Sequence, residues 1–228
     1  MNSVIKSAWA RVVKAISSLL ADRKTAANPA DCGEKVEACE REIGLCSVSP
    51  QVKRDVSVCA GKSFWGKIKS CDEWFKGRRV VIDGTNVCYW GGKSGLEMSL
   101  ALLLALCADL HRRGVDYMVY FDASTRYCLQ KMGAAGDAAL YCRLLDARPD
   151  RFHEVKARTT ADEAVLMDVA AGVENEKPTV FVTRDHYRDH VGLFPFASDE
   201  NLRLEGAVRE NGIRFGKIGW FVPYKKVA

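Results

Sequence analysis

The chain has 228 residues, 48% of them apolar and 28% charged, with 34 Lys and Arg against 29 Asp and Glu for a net charge of +5. This composition excludes a low-complexity or fibrous chain and fits one α/β domain of about 150 residues with an appendage. The longest apolar run, Leu100 to Leu110, is interrupted by Asp109 and is far shorter than the roughly 20 residues that cross a bilayer, so no integral membrane segment is expected.

In the first 24 residues, Ile5, Trp9, Val12, Ile16 and Leu19 recur at three- and four-residue spacing, which predicts a helix over 3–22. This stretch is nearly free of acids, which also fits an organelle transit peptide, so the expected location is cytoplasmic with an organellar alternative. Residues 25–62 read as loop, punctuated by Pro29, Gly33, Gly44, Pro50 and Gly61. Residues 62–76 return to helical period through Phe64, Trp65, Ile68, Cys71, Trp74 and Phe75. The expected division is a basic, partly helical extension over 1–78 and a second domain over 79–228. Charge follows it: residues 1–79 carry 15 Lys and Arg against 9 Asp and Glu, a net of +6, and residues 80–228 carry 19 against 20, a net of −1. A basic segment beside a near-neutral domain suits a polyanionic partner.

The nine cysteines are odd in number and form no Cys-x-x-Cys pair, which argues against a secreted disulfide framework and a zinc ribbon. Cys32, Cys39 and Cys46 fall at every seventh position, but no histidine precedes His111, so no Cys/His finger is completed there. Free thiols are the expectation.

Val80-Val81-Ile82 is β-branched throughout and reads as a strand buried on both faces, as in a parallel sheet. It ends in Asp83, with Gly84 permitting a sharp turn and Asn86 bringing an oxygen ligand or a donor to the same edge. The pattern recurs. Tyr117–Phe121 is followed by Asp122, Phe152–Val155 by Asp162 and Glu163 at a helix start, and Thr179–Val182 by Asp185 and Asp189. Parallel strands present the same end to one sheet edge, so these acids converge. Crowded carboxylates repel one another unless some protonate or a cation binds. Oxygen ligands select a hard divalent ion, Mg²⁺ first and Mn²⁺ second. Ile213–Val222 should add a strand or hairpin.

Other chemistries fit less well. Haloacid-dehalogenase-type phosphatases carry Asp-x-Asp-Gly-Thr, but the nucleophile position is Val81 here. Gly61-Lys62-Ser63 and Gly92-Lys93-Ser94 lack the upstream P-loop glycine, having Val56 and Val87 there. His186 and His190 form a His-x-x-x-His pair without the glutamate of a zinc protease. Thr160 to Glu163 is a helix capping box, which gives Glu163 a structural role of its own. Arg184 and Arg188 could neutralise Asp185 and Asp189, a pair read as sharing one helical turn.

Together, Val-Val-Ile-Asp83-Gly-Thr-Asn86-Val, Ala-Asp162-Glu163 and Thr-Arg-Asp185-His-Tyr-Arg-Asp189 resemble the NYN branch of the PIN-like metallonucleases, regnase-type endoribonucleases above all. The resemblance runs from about Arg79 to Tyr224. It implies a three-layer α/β domain with a mainly parallel central sheet and an Mg²⁺-dependent endoribonuclease activity, in which a metal-activated water hydrolyses RNA. Carried over by position, the catalytic residues are Asp83, Asn86, Asp162, Asp185 and Asp189. The metal ligands are Asp83, Asp162, Glu163, Asp185 and Asp189, with Asp122 an additional candidate. Regnase-type enzymes usually have two Asp where this chain has Asp162-Glu163, and the zinc finger of animal regnases has no counterpart within the 228 residues. RNA contacts are expected from Lys93, Arg126, Arg158, Arg184 and Arg188, with Lys131 nearby, and base stacking from Tyr89, Trp90 or Tyr127, on single-stranded or loop RNA. A homodimer remains open. The alternatives are an RNA-binding NYN module without catalysis, or a PIN-like nuclease acting on DNA or tRNA precursors.

Overall fold

A computed structural model describes residues 70–91, 97–156, 158–175 and 177–224. The helix expected over 3–22, the loops over 25–62 and Lys93 lie outside them. Five parallel strands form the central sheet: β1 (Arg79–Asp83), β2 (Asp116–Phe121), β3 (Phe152–Glu154), β4 (Thr179–Val182) and β5 (Arg203–Leu204), in the order β3-β2-β1-β4-β5. Parallel neighbours need crossovers, and helices supply them. They are α2 (Gly84–Tyr89) and α3 (Leu100–Arg112) after β1, α4 (Thr125–Met132) and α5 (Asp137–Ala147) after β2, and α6 (Ala161–Glu174) after β3.

Alternation along β1 builds two cores. Val80 and Ile82 face a layer containing α2, α3 and α5, where Leu102, Leu103, Leu106, Tyr141 and Leu144 are fully buried. Val81 faces the other way, onto Val165, Leu166 and Val169 of α6 and onto Phe181 and Phe196. This is the three-layer arrangement expected from the β-branched strands. Gly84 is needed where α2 leaves β1, because a Cβ there would stand 2.6 Å from the Phe121 and Val119 side chains.

The expected C-terminal hairpin is a separate antiparallel sheet, β6 (Ala207–Arg209), β7 (Gly212–Phe215) and β8 (Trp220–Pro223). Trp220 ties it to the domain: its indole donates to Asp109 on α3 at 2.8 Å, and its ring meets Phe75 at 4.9 Å. Phe75 belongs to a short helix, α1 (Cys71–Phe75), capped by Ser70, whose hydroxyl accepts from the Glu73 amide at 3.1 Å. Trp74 and Phe75 are both 4% exposed within the main core. Packing of the domain thus extends N-terminal of the expected boundary at residue 78.

Chain order sets the position of the site. From β1 the chain fills one side of the sheet with β2 and β3, then returns to the far side of β1 with β4. Open α/β sheets bind ligands at the carboxyl ends of the strands flanking such a reversal. Here those strands are β1 and β4, ending at Asp83 and running into Thr183.

Candidate metal-binding and nucleic-acid site

Asp83 closes β1 and caps α2, its Oδ1 accepting from the Asn86 amide at 2.9 Å. The residue is 3% exposed. Its Oδ2 accepts from the Thr183 hydroxyl at 3.2 Å and, more weakly, from the Tyr187 hydroxyl at 3.4 Å. Neither neighbour brings a positive charge. Burial pushes the Asp83 carboxyl up to about 7, Asp162 and Asp122 raise it further, and the Asn86 amide and Thr183 hydroxyl only partly offset them.

Asp122 follows β2, and its Oδ1 accepts from the Ala161 amide at 2.9 Å, so it caps the first turn of α6 from another strand. Its own amide donates to Thr85 Oγ1 at 2.9 Å, and that hydroxyl meets Thr125 Oγ1 at 2.7 Å. α6 begins as the capping box predicts, with Thr160 Oγ1 accepting from the Glu163 amide at 3.3 Å. Asp122 therefore fixes the helix start that carries Asp162. Burial, Asp185 and Asp122 raise the Asp162 carboxyl to about 6, while His190 lowers it. The His190 Nε2 stands 3.8 Å from Asp162 Oδ2.

Beyond β4 the chain differs from the expected helical turn. Thr183 to Tyr187 is irregular, and only Arg188–His190 forms a single 3₁₀ turn. The Thr183 hydroxyl accepts from the Asp185 amide at 3.0 Å while donating to Asp83, and Asp185 Oδ1 accepts from the Tyr187 amide at 2.9 Å. Tyr187 takes a left-handed backbone, φ 48°, and buries its ring against Phe181 and beside Asp83. The side-chain hydrogen bond from the Tyr187 amide to Asp185 makes this a local turn in place of helix. Asp185 and Asp189 therefore do not share a helical face. Asp185 bears on Asp162 electrostatically, whereas Asp189 is exposed on the 3₁₀ turn and is not among the principal charges acting on Asp83 or Asp162.

The acids thus brought together are Asp83, Asp122, Asp162 and Asp185, with Glu163 bearing on Asp162. Among the described residues, no group of three or more acidic, His or Cys side chains closes on one point tightly enough to ligate an ion by itself. The all-oxygen donor set suits Mg²⁺, which keeps several waters and binds through one or two carboxylates. Asn86 points its oxygen elsewhere: Oδ1 accepts from the Trp90 indole at 2.8 Å and from the Arg184 amide at 3.0 Å. Of the expected RNA contacts, Arg126, Arg158 and Arg188 are exposed, as is Lys131. Arg158 has φ 78° just before the α6 cap, a strained backbone at the rim of the acidic edge. Arg184 is exposed as well, with its guanidinium 4.6 Å above the Trp90 ring and its Nε donating to the Gly206 carbonyl at 3.0 Å. Trp90 is 6% exposed and so belongs to the core, while Tyr127 is 64% exposed.

Sequence reasoning missed Thr183 and Tyr187 as partners of Asp83 and Thr85 as a partner of Asp122. Thr183 and Tyr187 lie inside the third motif, so the signal was present without the contact that gives it meaning.

Among solved structures, the chain is similar to the crystal structure of nuclear proteinaceous RNase P 2 (PRORP2) from A. thaliana, with a TM-score of 0.50 and 13% identity over 78% of this chain and 38% of that one. A structure of Arabidopsis thaliana nuclear protein-only RNase P 2 gives a TM-score of 0.49 and 13% identity, over 81% and 39%. This chain spans about two fifths of the length of those proteins. At such identity the likeness is one of fold, and it is the expected parallel α/β architecture. No family model and no curated protein matches the chain.

Proposed function

We propose that this chain is a divalent-metal-dependent endoribonuclease whose reacting edge is formed by Asp83, Asp122, Asp162 and Asp185. One observation carries the reading: a buried carboxylate, Asp83, is stabilised only by neutral donors while two further acids act on it. A carboxylate kept unpaired beside others is costly for the fold and useful for holding a cation. The likeness of fold to a ribonuclease P structure supports an RNA substrate. The regnase-type assignment rests on the three motifs alone.

Asp83, Asp162 and Asp185 would hold Mg²⁺ or Mn²⁺, with Glu163 at the margin. The bound ion would supply an acidified water and offset the charge of the phosphate. Asp83 is positioned by the Asn86 amide, Thr183 and Tyr187, so its orientation is set before substrate arrives. Asp162, crowded by Asp185 and Asp122, would have to be deprotonated to hold the ion, so the cation would relieve the repulsion at this edge. Arg126, Arg158, Arg188 and Lys131 are exposed cations available to the phosphate backbone.

The test is incubation of the purified chain with matched single-stranded RNA, hairpin RNA, precursor tRNA and DNA, in Mg²⁺, Mn²⁺ or EDTA. Internal cleavage of RNA that EDTA abolishes and Mg²⁺ restores is expected. Binding without cleavage in either metal would make the chain an RNA-binding module, and equal cleavage of DNA would widen the substrate class.

A further inference from the structure

Asn86 is the polar side chain of the first motif whose chemistry is not that of an acid, and its surroundings fix what it can do. Two hydrogen bonds converge on its Oδ1, from the Trp90 indole Nε1 at 2.8 Å and from the Arg184 backbone amide at 3.0 Å. Both partners are obligate donors. The side-chain amide is therefore held in one orientation, oxygen toward Trp90 and Arg184 and nitrogen on the opposite side. An amide oxygen has two lone pairs, and both are in use. A cation bound by that oxygen would have to displace one of these donors.

The partners are themselves held. Arg184 lies over the Trp90 ring and donates to the Gly206 carbonyl, and Gly206 has no room for a Cβ against Trp90. Asn86 also donates its own backbone amide to Asp83, so it is fixed relative to the buried carboxylate. What remains is Nδ2 with two N–H groups, which no acceptor among the described residues takes, on a partly exposed residue between Asp83 and the Asp185 segment. A neutral donor is the group that can bind an anion at an acidic edge without pairing with, and neutralising, the carboxylates there.

We infer that Asn86 binds a non-bridging phosphate oxygen of the RNA backbone through Nδ2–H and is not an oxygen ligand of the cation. Trp90 is the positioning residue that locks the amide in this orientation. This inference rests on the nuclease reading for the origin of the phosphate. The orientation of the amide does not.

Three measurements on the full chain test it. In Mg²⁺ titrations followed by NMR, the Trp90 indole proton stays hydrogen-bonded and protected from solvent exchange. Loss of that protection on Mg²⁺ binding would mean that the Asn86 oxygen has turned to the ion, which overturns the inference. In steady-state cleavage of a single-stranded RNA, Asn86→Asp keeps both anchoring bonds but loses the donor, and KM rises about tenfold or more. Calorimetric Mn²⁺ affinity is retained or increased in that variant. Trp90→Phe keeps the ring under Arg184, adds no charge and frees the amide, so KM rises several-fold with kcat and Mn²⁺ affinity little changed. Unchanged KM in both variants, with wild-type melts, would remove Asn86 from substrate binding. If wild-type protein neither binds nor cuts RNA, the nuclease reading itself fails, and the indole measurement still reports whether the amide is anchored.

Discussion

The two edges of the central sheet carry acids in opposite states. Toward the amino ends of the strands, carboxylates are matched by cations. Asp116 meets Arg151 at 2.5 Å and Lys177 at 2.6 Å, Asp150 meets Arg148 at 2.9 Å, and Asp109 is bracketed by Arg112 and Arg113. Burial alone would raise Asp116, yet Lys177 and Arg151 hold it below the usual carboxylate range, and Arg148 does the same for Asp150. At the carboxyl ends, Asp83 and Asp162 are raised to about 7 and about 6, and among the described residues the ion-pair partner there is His190, at 3.8 Å from Asp162. Arg and Lys are plentiful at the amino-end edge, so among the described residues the missing pairing at the other edge reflects placement. The paired edge contributes to the fold. The unpaired edge costs stability, which is what the proposed metal site would require.

Neutralising Asp83 should give the largest difference between the edges. Asp83→Asn keeps an oxygen for the Asn86 amide and the Thr183 hydroxyl but removes the charge. Cleavage should fall by about 10²- to 10³-fold or more, the scale of losing a preorganised charged group. Stability without metal should move the other way. The native carboxyl near 7 lies above its unfolded value of 3.8, so the native state binds more protons and wild-type stability falls as pH rises through that window. The penalty is complete above about pH 7 and amounts to as much as about 4 kcal/mol. In EDTA the variant should therefore melt higher than wild type at pH 8, with the gap closing toward pH 4. Mg²⁺ should raise the melting temperature of wild type alone. A variant that melts lower at pH 8 would show that the unpaired acid supports the fold.

On the paired side, the prediction concerns α1. Trp74 and Phe75 sit in the main core, with Phe75 4.9 Å from Trp220, and an aromatic-to-alanine change in such a core costs about 3–5 kcal/mol. A chain beginning at Gly77 should therefore lose most of its stability or aggregate, whereas one beginning at Ser70 keeps a cooperative melt. Equal melts for the two would detach α1 from the domain. A smaller loss is expected for Asp109→Ala, which leaves the Trp220 indole and Arg112 without this acceptor and Arg113 with Asp72 alone. Arg112 and Arg113 are partly solvated, so the cost is about 2 kcal/mol, with cleavage intact wherever the variant is folded. Cleavage lost at a temperature where the variant remains folded would break the division of labour between the edges.

The parallel sheet was legible because β1 and β4 have short apolar runs that each lead into a polar residue, a pattern fixed by burial on both faces. Asp83, Asp122, Asp162 and Asp185 followed from it, since strand polarity alone brings strand ends to one edge. What failed to read was local turn chemistry. Residues 184–190 have helical spacing, but the Asp185 carboxylate competes for the Tyr187 amide and the chain turns left-handed there, which separates Asp185 from Asp189. β5 has two residues, too few for any periodicity. Arg184 is exposed as its place in sequence suggests, but its hold on the Trp90 ring and the Gly206 carbonyl is visible only in space. Tertiary hydrogen bonds of this kind leave no trace in composition.

The smallest expected effect lies in residues 1–69, which carry 12 Lys and Arg against 7 Asp and Glu, a net of +5. In sequence they precede α1, whose end lies near Lys76, Arg78, Arg112, Arg113 and Lys177 at the amino-end edge, where Arg113 and Lys177 are paired with Asp72 and Asp116. We propose that this segment adds RNA affinity by charge, which the domain's own surface does not supply in excess. Removing it while keeping α1, in a chain beginning at Ser70, should leave metal-dependent cleavage and the thermal melt near wild type. RNA binding should weaken and become less salt-sensitive, the log–log slope flattening by roughly 0.7 for each single-strand phosphate that the segment no longer neutralises. Binding measured between low and physiological salt separates this from a packing role. If the segment instead covers apolar surface of the domain, the truncated chain melts earlier or self-associates. A folded, monomeric truncation with an unchanged slope would mean that RNA is held by the exposed cations Arg126, Arg158 and Arg188 at the acidic edge alone, and substituting those with Ala should then flatten the slope instead.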